Sequence, residues 1–327
     1  MVKNIRKLIE QVAKEKDLPE RVVEYALRNA IAIAIKKDRK IRDNLDIELT
    51  DEGIKVYIAR GRERLPMGIS TEDINRIAAY AAKEEFLHEL ERAEKERGFL
   101  EYRELEGEIV SGIVRRIYDS GDLLVDLGKV DAMLPRREQI YGETYRVGDK
   151  VKALLLEVKK IRGEPRLILS RTHPLFLKRL LEVDIPEVAE KEIEIKAVAR
   201  IPGERAKVAV YGRDLKMDPV GIIVGLRGMR IQPISEELGG EKIDVLRWTE
   251  DEEEFIRRAL SPAQPTAVRL IPEEERAEVA VPRDQLSLAI GKRGTNVKLA
   301  HKLTGWHIDV MSEEDFEKLS ELRGSDK

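Results

Sequence analysis

The chain has 327 residues, 60 Lys and Arg against 63 Asp and Glu for a net charge of −3, 42% hydrophobic residues and no cysteine. That length predicts two to four domains, each able to bury a core, and the lack of cysteine excludes a disulfide framework, thiolate metal sites and a cysteine nucleophile. A near-neutral chain with a charged fraction of 38% can grip nucleic acid only through locally segregated charge, not through a global basic field.

No apolar run approaches the about 18 residues of a membrane span. The N-terminus, Met1-Val-Lys-Asn-Ile5, reads straight into an amphipathic helix instead of a signal peptide. A cytoplasmic protein with no membrane partner is expected. Ile5, Leu8, Ile9 and Val12 keep helical spacing. Asp17-Leu-Pro19 breaks that helix and starts a second, whose buried stripe is Val22, Val23, Ala26, Leu27, Ala30, Ile31, Ala34 and Ile35. Leu45, Ile47 and Leu49 alternate with acids as a strand does, Thr50-Asp-Glu-Gly53 makes a turn, and Ile54, Val56 and Ile58 complete a two-stranded ribbon. Ser70-Thr-Glu-Asp73 has the pattern of a capped helix start. The helix it opens runs through Ile74, Ile77, Ala81, Phe86, Leu90 and Ala93 towards Gly98 and is thick with charge. It is expected to project as a strut joining residues 1–104 to the next domain. His88 has no second ligand at helical spacing and reads as a surface residue. This head either docks on a protein partner or is a purely structural cap, and the residues leave both open.

Residues 105–171 hold five short β-type runs punctuated by glycine: Glu108 to Tyr118, Asp122 to Leu127, Val130 to Leu134, Val151 to Lys160 and Arg166 to Ser170. Five such strands predict a small closed barrel of the OB type, and the spacing of Val125-Asp-Leu-Gly128, Leu134-Pro135, Gly148-Asp-Lys-Val151 and Leu169-Ser170 resembles its S1 variety. Such barrels bind single strands by stacking bases on aromatics in a basic groove. The candidates are Tyr118 with Arg115 and Arg116, and Arg136 with Arg137. The plainer alternative is that Tyr118 packs a barrel edge and the arginines are solvated.

Residues 172–249 and 250–327 repeat one pattern: a helix, two strands, a helix, a Gly-x-x-Gly loop, a helix and a strand. The loops are Gly225-Leu-Arg-Gly228 and Gly291-Lys-Arg-Gly294, and each unit ends on Ile-Asp-Val, at Ile243 to Val245 and Ile308 to Val310. One Gly-x-x-Gly is a weak signal, equally a sharp corner with solvated cations. Two in the same frame are a repeat. Glycines let a phosphate backbone approach closely, and the next helix offers unpaired N–H groups there. Both units resemble the type II KH module (α-β-β-α-α-β), an RNA-binding unit that clamps about four nucleotides. Arg230 in the first copy, and Asn296, Lys298 and Lys302 in the second, are candidates to extend the phosphate path. The short join Trp248-Thr-Glu-Asp251 predicts that the two units pack as one rigid body. His173, His301 and His307 show no metal-ligand spacing.

The order of head, S1 barrel and tandem KH modules, a multidomain α+β architecture, resembles the NusA family of bacterial transcription factors over nearly the whole chain. The likeness is densest at Leu134-Pro-Arg-Arg-Glu-Gln139, Leu169-Ser-Arg-Thr-His-Pro174, Gly240-Glu-Lys-Ile-Asp-Val245, Ala259-Leu-Ser-Pro-Ala263, Gln285-Leu-Ser-Leu-Ala-Ile-Gly291 and Leu303-Thr-Gly-Trp306. The resemblance implies a monomer that is not an enzyme and carries neither cofactor nor metal. Its head would dock on core RNA polymerase near the RNA exit channel. Its barrel and KH modules would hold single-stranded nascent RNA and modulate pausing, termination and antitermination, with other antitermination factors as further partners. The head is shorter between Arg60 and Ile74 than in relatives, and the extra acidic repeats that some relatives carry after the second KH module are not expected. Two other readings stand beside it: a ribosome-associated RNA-binding protein or RNA chaperone, and a subunit of an RNA-degrading enzyme.

Overall fold

The computed structural model describes residues 5–50, 53–60, 63–69, 73, 82–161, 164–214 and 216–324. The chain divides into two compact units, residues 1–104 with 161–165, and residues 105–160 with 166–327.

In the first unit, helices α1 (Ile5–Glu15), α2 (Glu20–Arg39) and α3 (Ala82–Arg103) accompany a sheet of β1 (Asn44–Thr50), β2 (Gly53–Arg60) and β3 (Glu63–Pro66). The face of α2 that carries Ile31, Ala34 and Ile35 packs on Ile47 and Val56 of the sheet, while Val23 and Ala26 join Ile9, Ala13, Leu18 and Leu90. Two expectations change. The ribbon has a third strand, β3, antiparallel to β2. All four of its residues are exposed, so it lacks the apolar alternation that betrays a strand, and only backbone pairing defines it. Helix α3 does not stand clear as a strut, and it continues through Gly98 to Arg103. It packs against α2 through Leu90, with Phe86 and Ala93 beside it and Phe99 buried further along. Its apolar stripe is narrow, and the surrounding charge masks it in the sequence. The expected helix start at Ser70, Thr71 and Glu72, the stripe at Ile74, Ile77 and Ala81, and the turn residues Asp51 and Glu52 lie outside the described residues.

In the second unit, β4 (Ile109–Ile117), β5 (Leu123–Asp126), β6 (Asp131–Leu134), β7 (Lys150–Ile161) and β8 (Glu164–Ser170) close a barrel in the order β4-β5-β6-β8-β7 around Val114, Val125, Leu134, Leu155 and Leu169. The first KH module follows as α4 (Pro174–Asp184), α5 (Pro186–Ala189), β9 (Ile193–Ile201), β10 (Arg205–Gly212), α6 (Pro219–Val224), α7 (Ile231–Glu237) and β11 (Lys242–Arg247). The second contains α8 (Glu252–Ala259), β12 (Ala267–Ile271), β13 (Arg276–Val281), α9 (Leu286–Ile290), α10 (Thr295–Thr304), β14 (His307–Ser312) and the tail helix α11 (Glu313–Gly324). In each module the middle strand runs antiparallel to the one before it and parallel to the last, the mixed sheet of a type II KH fold.

The joins between modules are core, not linker. Ile140 and Leu154 of the barrel belong to the same apolar cluster as Phe176, Leu180 and Val208 of the first KH module. Ala199, Ala209 and Leu246 of that module share another with Ile256, Leu299 and Leu303 of the second. Helix α10 packs on β9 and β10, while α11 packs on β13 and β14. Each KH sheet is thus covered by the helix that follows it in space.

Candidate nucleic-acid interface

The two glycine loops have the same backbone. Gly225, Arg227 and Gly228 have φ of 72°, 50° and 81°, and Gly291, Arg293 and Gly294 have 76°, 55° and 74°. Each closes in a tight 3-10 turn in which the second glycine's N–H donates to the first glycine's carbonyl, at 3.1 Å and 3.0 Å. The first glycine of each loop is required twice over. Its φ favours glycine, and a Cβ would lie 2.9 Å from Arg230 Cγ at Gly225 or 2.7 Å from the Asn296 backbone nitrogen at Gly291. The turn pushes its two middle residues outward, so Leu226, Arg227, Lys292 and Arg293 are all exposed.

Five residues beyond the first glycine the copies part. Asn296 is only 2% exposed, so it is not the phosphate contact expected from its place beside the loop. Its amide donates to the carbonyls of Leu260 (2.9 Å) and Ala289 (3.0 Å), tying α10 to α8 and α9. Arg230 occupies the corresponding position and stays outside, but it is engaged as well. Its guanidinium donates to both Glu187 carboxylate oxygens, at 2.9 and 3.0 Å, and to the Ile222 carbonyl. That bond holds the Glu187 carboxyl below the usual carboxylate range. Lys298 and Lys302 are exposed one turn apart on α10, and Lys298 reaches the loop by donating to the Arg293 carbonyl at 3.4 Å.

One contact the sequence did not disclose reaches the second loop from the first module. Glu204, in the β9–β10 turn, accepts a bond from Thr295 Oγ1 at 3.1 Å and stands 3.7 Å from the Arg293 guanidinium. Arg293 is therefore partly neutralised, while Lys292 is exposed beside it.

On the barrel the expected residues divide. Arg115 lies between Asp126 and Asp131, 3.2 Å from each, bracing β4 against β5 and β6. Its side chain nonetheless stays exposed, so these surface pairs engage it without burying it. Arg116 instead lies over the Tyr118 ring, 5.0 Å from its centre. The loop bearing Tyr118 is stitched to the turn bearing Arg136 and Arg137. Asp122 accepts from the Arg136 N–H at 2.8 Å, and Gln139 donates to the Gly121 carbonyl at 2.9 Å. The Arg136 N–H and the Ser120 hydroxyl hold the Asp122 carboxyl below its ordinary range. Arg116, Tyr118, Arg136 and Arg137 thereby gather at one end of the barrel.

Barrel and first KH module are locked by two buried arginines, Arg171 and Arg200, whose contacts carry no sequence periodicity. Arg171 bonds Glu143 and Glu237, at 2.6 and 2.9 Å. Arg200 and Glu241, both fully buried side chains, form a two-pronged pair at 2.8 Å, and Arg200 also donates to the carbonyls of Arg171 and His173. Their only signal in the sequence is that Arg171 and Glu241 fall within the peptides that carry the family resemblance.

The S1 RNA binding domain family matches residues 105–170, the NusA-like first KH domain residues 171–248 and the NusA-like second KH domain residues 252–318. Three curated relatives, each named transcription termination/antitermination protein NusA, align along the chain. The one from Halalkalibacterium halodurans is 40% identical over 92% of this chain and 75% of its own length. That from Thermus thermophilus is 44% identical over 75% of this chain and 64% of its own length. That from Bacillus subtilis is 37% identical over 94% of this chain and 90% of its own length. Identity at this level, over most of the barrel and both modules whose geometry is described above, means that this chain belongs to the NusA family of transcription termination/antitermination proteins.

Proposed function

We propose that this chain is an RNA-binding transcription elongation factor. Residues 1–104 dock on core RNA polymerase, and the modules at 105–171, 172–249 and 250–327 hold single-stranded nascent RNA, altering pausing, termination and antitermination. The observation that carries this reading is the pair of loops with one backbone, each presenting two exposed side chains between glycines, on modules that share a continuous core. A rigid pair of clamps can follow one strand without the entropy cost of ordering a linker. Gly225, Leu226, Arg227, Gly228, Gly291, Lys292, Arg293 and Gly294 line the clamps, with Lys298 and Lys302 beside the second. Arg116, Tyr118, Arg136 and Arg137 form a further contact on the barrel.

No catalytic step is required. Among the described residues no helix is long and apolar enough to cross a membrane. In this reading the protein works on polymerase in the cytoplasm, as a monomer. A pausing assay with the cognate polymerase tests the proposal: the full chain should change pause lifetimes, and the chain lacking residues 1–104 should neither change them nor be retained by core polymerase. Retention of the shortened chain would place docking elsewhere.

A further inference from the structure

We propose that Tyr141 is a base-stacking post for single-stranded RNA, carrying the strand between the second KH loop and the basic end of the barrel. The inference rests on the RNA-binding reading above and goes beyond it in naming a contact and a path. Tyr141 is 98% exposed. A lone exposed aromatic needs no explanation in itself; its anchoring and its neighbours supply one.

The backbone on either side of Tyr141 is fixed. Gln139 donates to the carbonyls of Gly121 and Leu134, at 2.9 and 3.0 Å. Ile140 is 2% exposed and belongs to the core of the first KH module. Glu143 N–H returns to the Ile140 carbonyl at 3.2 Å, and its carboxylate holds the buried Arg171. The ring is thus carried into water on a segment whose ordering cost is met within the fold, as a stacking platform needs.

Tyr141 also stands where two surfaces meet. On the barrel side, Arg136 and Arg137 precede it in the same connection and are exposed. On the KH side, its segment lies against the β9–β10 turn: a Cβ on Gly203 would be 2.6 Å from Ile140 Cγ2 and 3.5 Å from the Tyr141 carbonyl oxygen. The next residue, Glu204, is the one that touches Arg293 and Thr295 at the second loop. The order along the surface is therefore Lys292 and Arg293, the Glu204 turn, Tyr141, then Arg137 and Arg136. Cations at both ends and a flat apolar ring between them suit a strand whose phosphates are held at either end while a base between them stacks.

The test is binding of the full chain to a fluorescein-labelled oligoadenylate of about twelve nucleotides, about four for each KH clamp and about four for the barrel. Tyr141→Ala should weaken binding by about tenfold, the loss of one base–aromatic stack. Its salt dependence should stay as in the parent, because every phosphate contact is kept. Tyr141→Phe should bind as the parent does, since stacking needs the ring and not the hydroxyl. A 2-aminopurine at the stacked position should be quenched by the parent and not by Tyr141→Ala. An unchanged melting temperature confirms the fold of the variant. If Tyr141→Ala binds like the parent while charge reversal at Lys292 and Arg293 weakens binding, RNA binding stands and the stacking post is wrong. Equal weakening by Tyr141→Phe and Tyr141→Ala overturns the stacking role too. If the parent binds no RNA, both readings fall together.

Discussion

Along their middle strands the two KH modules run in step. Arg205 bonds Asp244 at 2.7 Å across β10 and β11, and Arg276 bonds Asp309 at 2.5 Å across β13 and β14. Two residues on, Lys207 stands in the first module where Glu278 stands in the second, and both are fully buried. Lys207 donates to the Ser261 carbonyl of the second module, whereas Glu278 receives Arg269 and Arg276 beneath the tail helix. Burial pushes the Lys207 ammonium below its ordinary range, opposed by Asp244. The same strand position thus serves an interface in one copy and a closing helix in the other. The loops differ in the same spirit: one backbone, with Leu226 and Arg227 in the first and Lys292 and Arg293 in the second. Backbone is what the repeat keeps, and charge is what each copy's neighbours dictate.

The largest break in this comparison should come at the sheet edge. Before β11 the first module has Glu241, fully buried with Arg200. Before β14 the second has Trp306, only partly buried and uncharged. Glu241→Ala should destabilise the protein by about 3–5 kcal/mol, because Arg200 is left as an unpaired buried charge. Trp306→Ala should cost less, and the midpoints of urea unfolding compare the two directly.

The loops come next. Reversing both Lys292 and Arg293 to Asp should weaken binding to single-stranded RNA by on the order of tenfold or more. It should also flatten the log–log salt slope by about 0.7 for each phosphate no longer neutralised. Arg227→Asp should do less on both counts, and Leu226→Lys should steepen the slope by about 0.7, converting the first loop into the second. Fluorescence anisotropy across a salt series reads all three, and equal effects at the two loops would erase the distinction between them.

Asn296 and Arg230 sharpen it on stability. Asn296→Ala removes two hydrogen bonds to buried carbonyls and should cost about 1–3 kcal/mol, visible as a lower Tm. Arg230→Ala breaks an exposed ion pair and should cost under about 1 kcal/mol. The smallest effect is expected at Glu204. Glu204→Gln frees Arg293 and should tighten RNA binding by about twofold at low salt, with the gain fading as salt rises. Weaker binding would mean that Glu204 positions the loop instead of restraining it.

Much of this architecture was legible because it is periodic or punctuated. The five barrel strands and the KH strands end close to where runs of β-type residues give way to glycine or proline, although the middle KH strands β10 and β13 are buried along most of their length and do not alternate. The loops were legible because glycine at φ near 75° has few substitutes. The exposed β3 and the charged α3 were misread for the opposite reason: one buries nothing and the other buries little. Arg115, Arg230 and Asn296 read as RNA contacts from residue type and proximity in the chain; Asn296 proves buried, and the two arginines prove to be held by carboxylates that the local sequence does not reveal. Their partners Asp131, Glu187 and Leu260 lie 16, 43 and 36 residues away, beyond the reach of any local pattern.

The sequence by itself determined the local shapes: which segments become strands and helices, where the backbone must turn through positive φ, and which loops can admit a phosphate. Tertiary structure alone decided which of the charges near those loops are free. A side chain's availability depends on what folds against it, and those partners lie far along the chain, some of them in another module: Glu204 against Arg293 and Ser261 against Lys207 across the two KH modules, Glu241 against Arg200 within the first. For the same reason Tyr141, a single residue between a buried Ile140 and a left-handed Gly142, stood out only once its neighbours across the module boundary were in place.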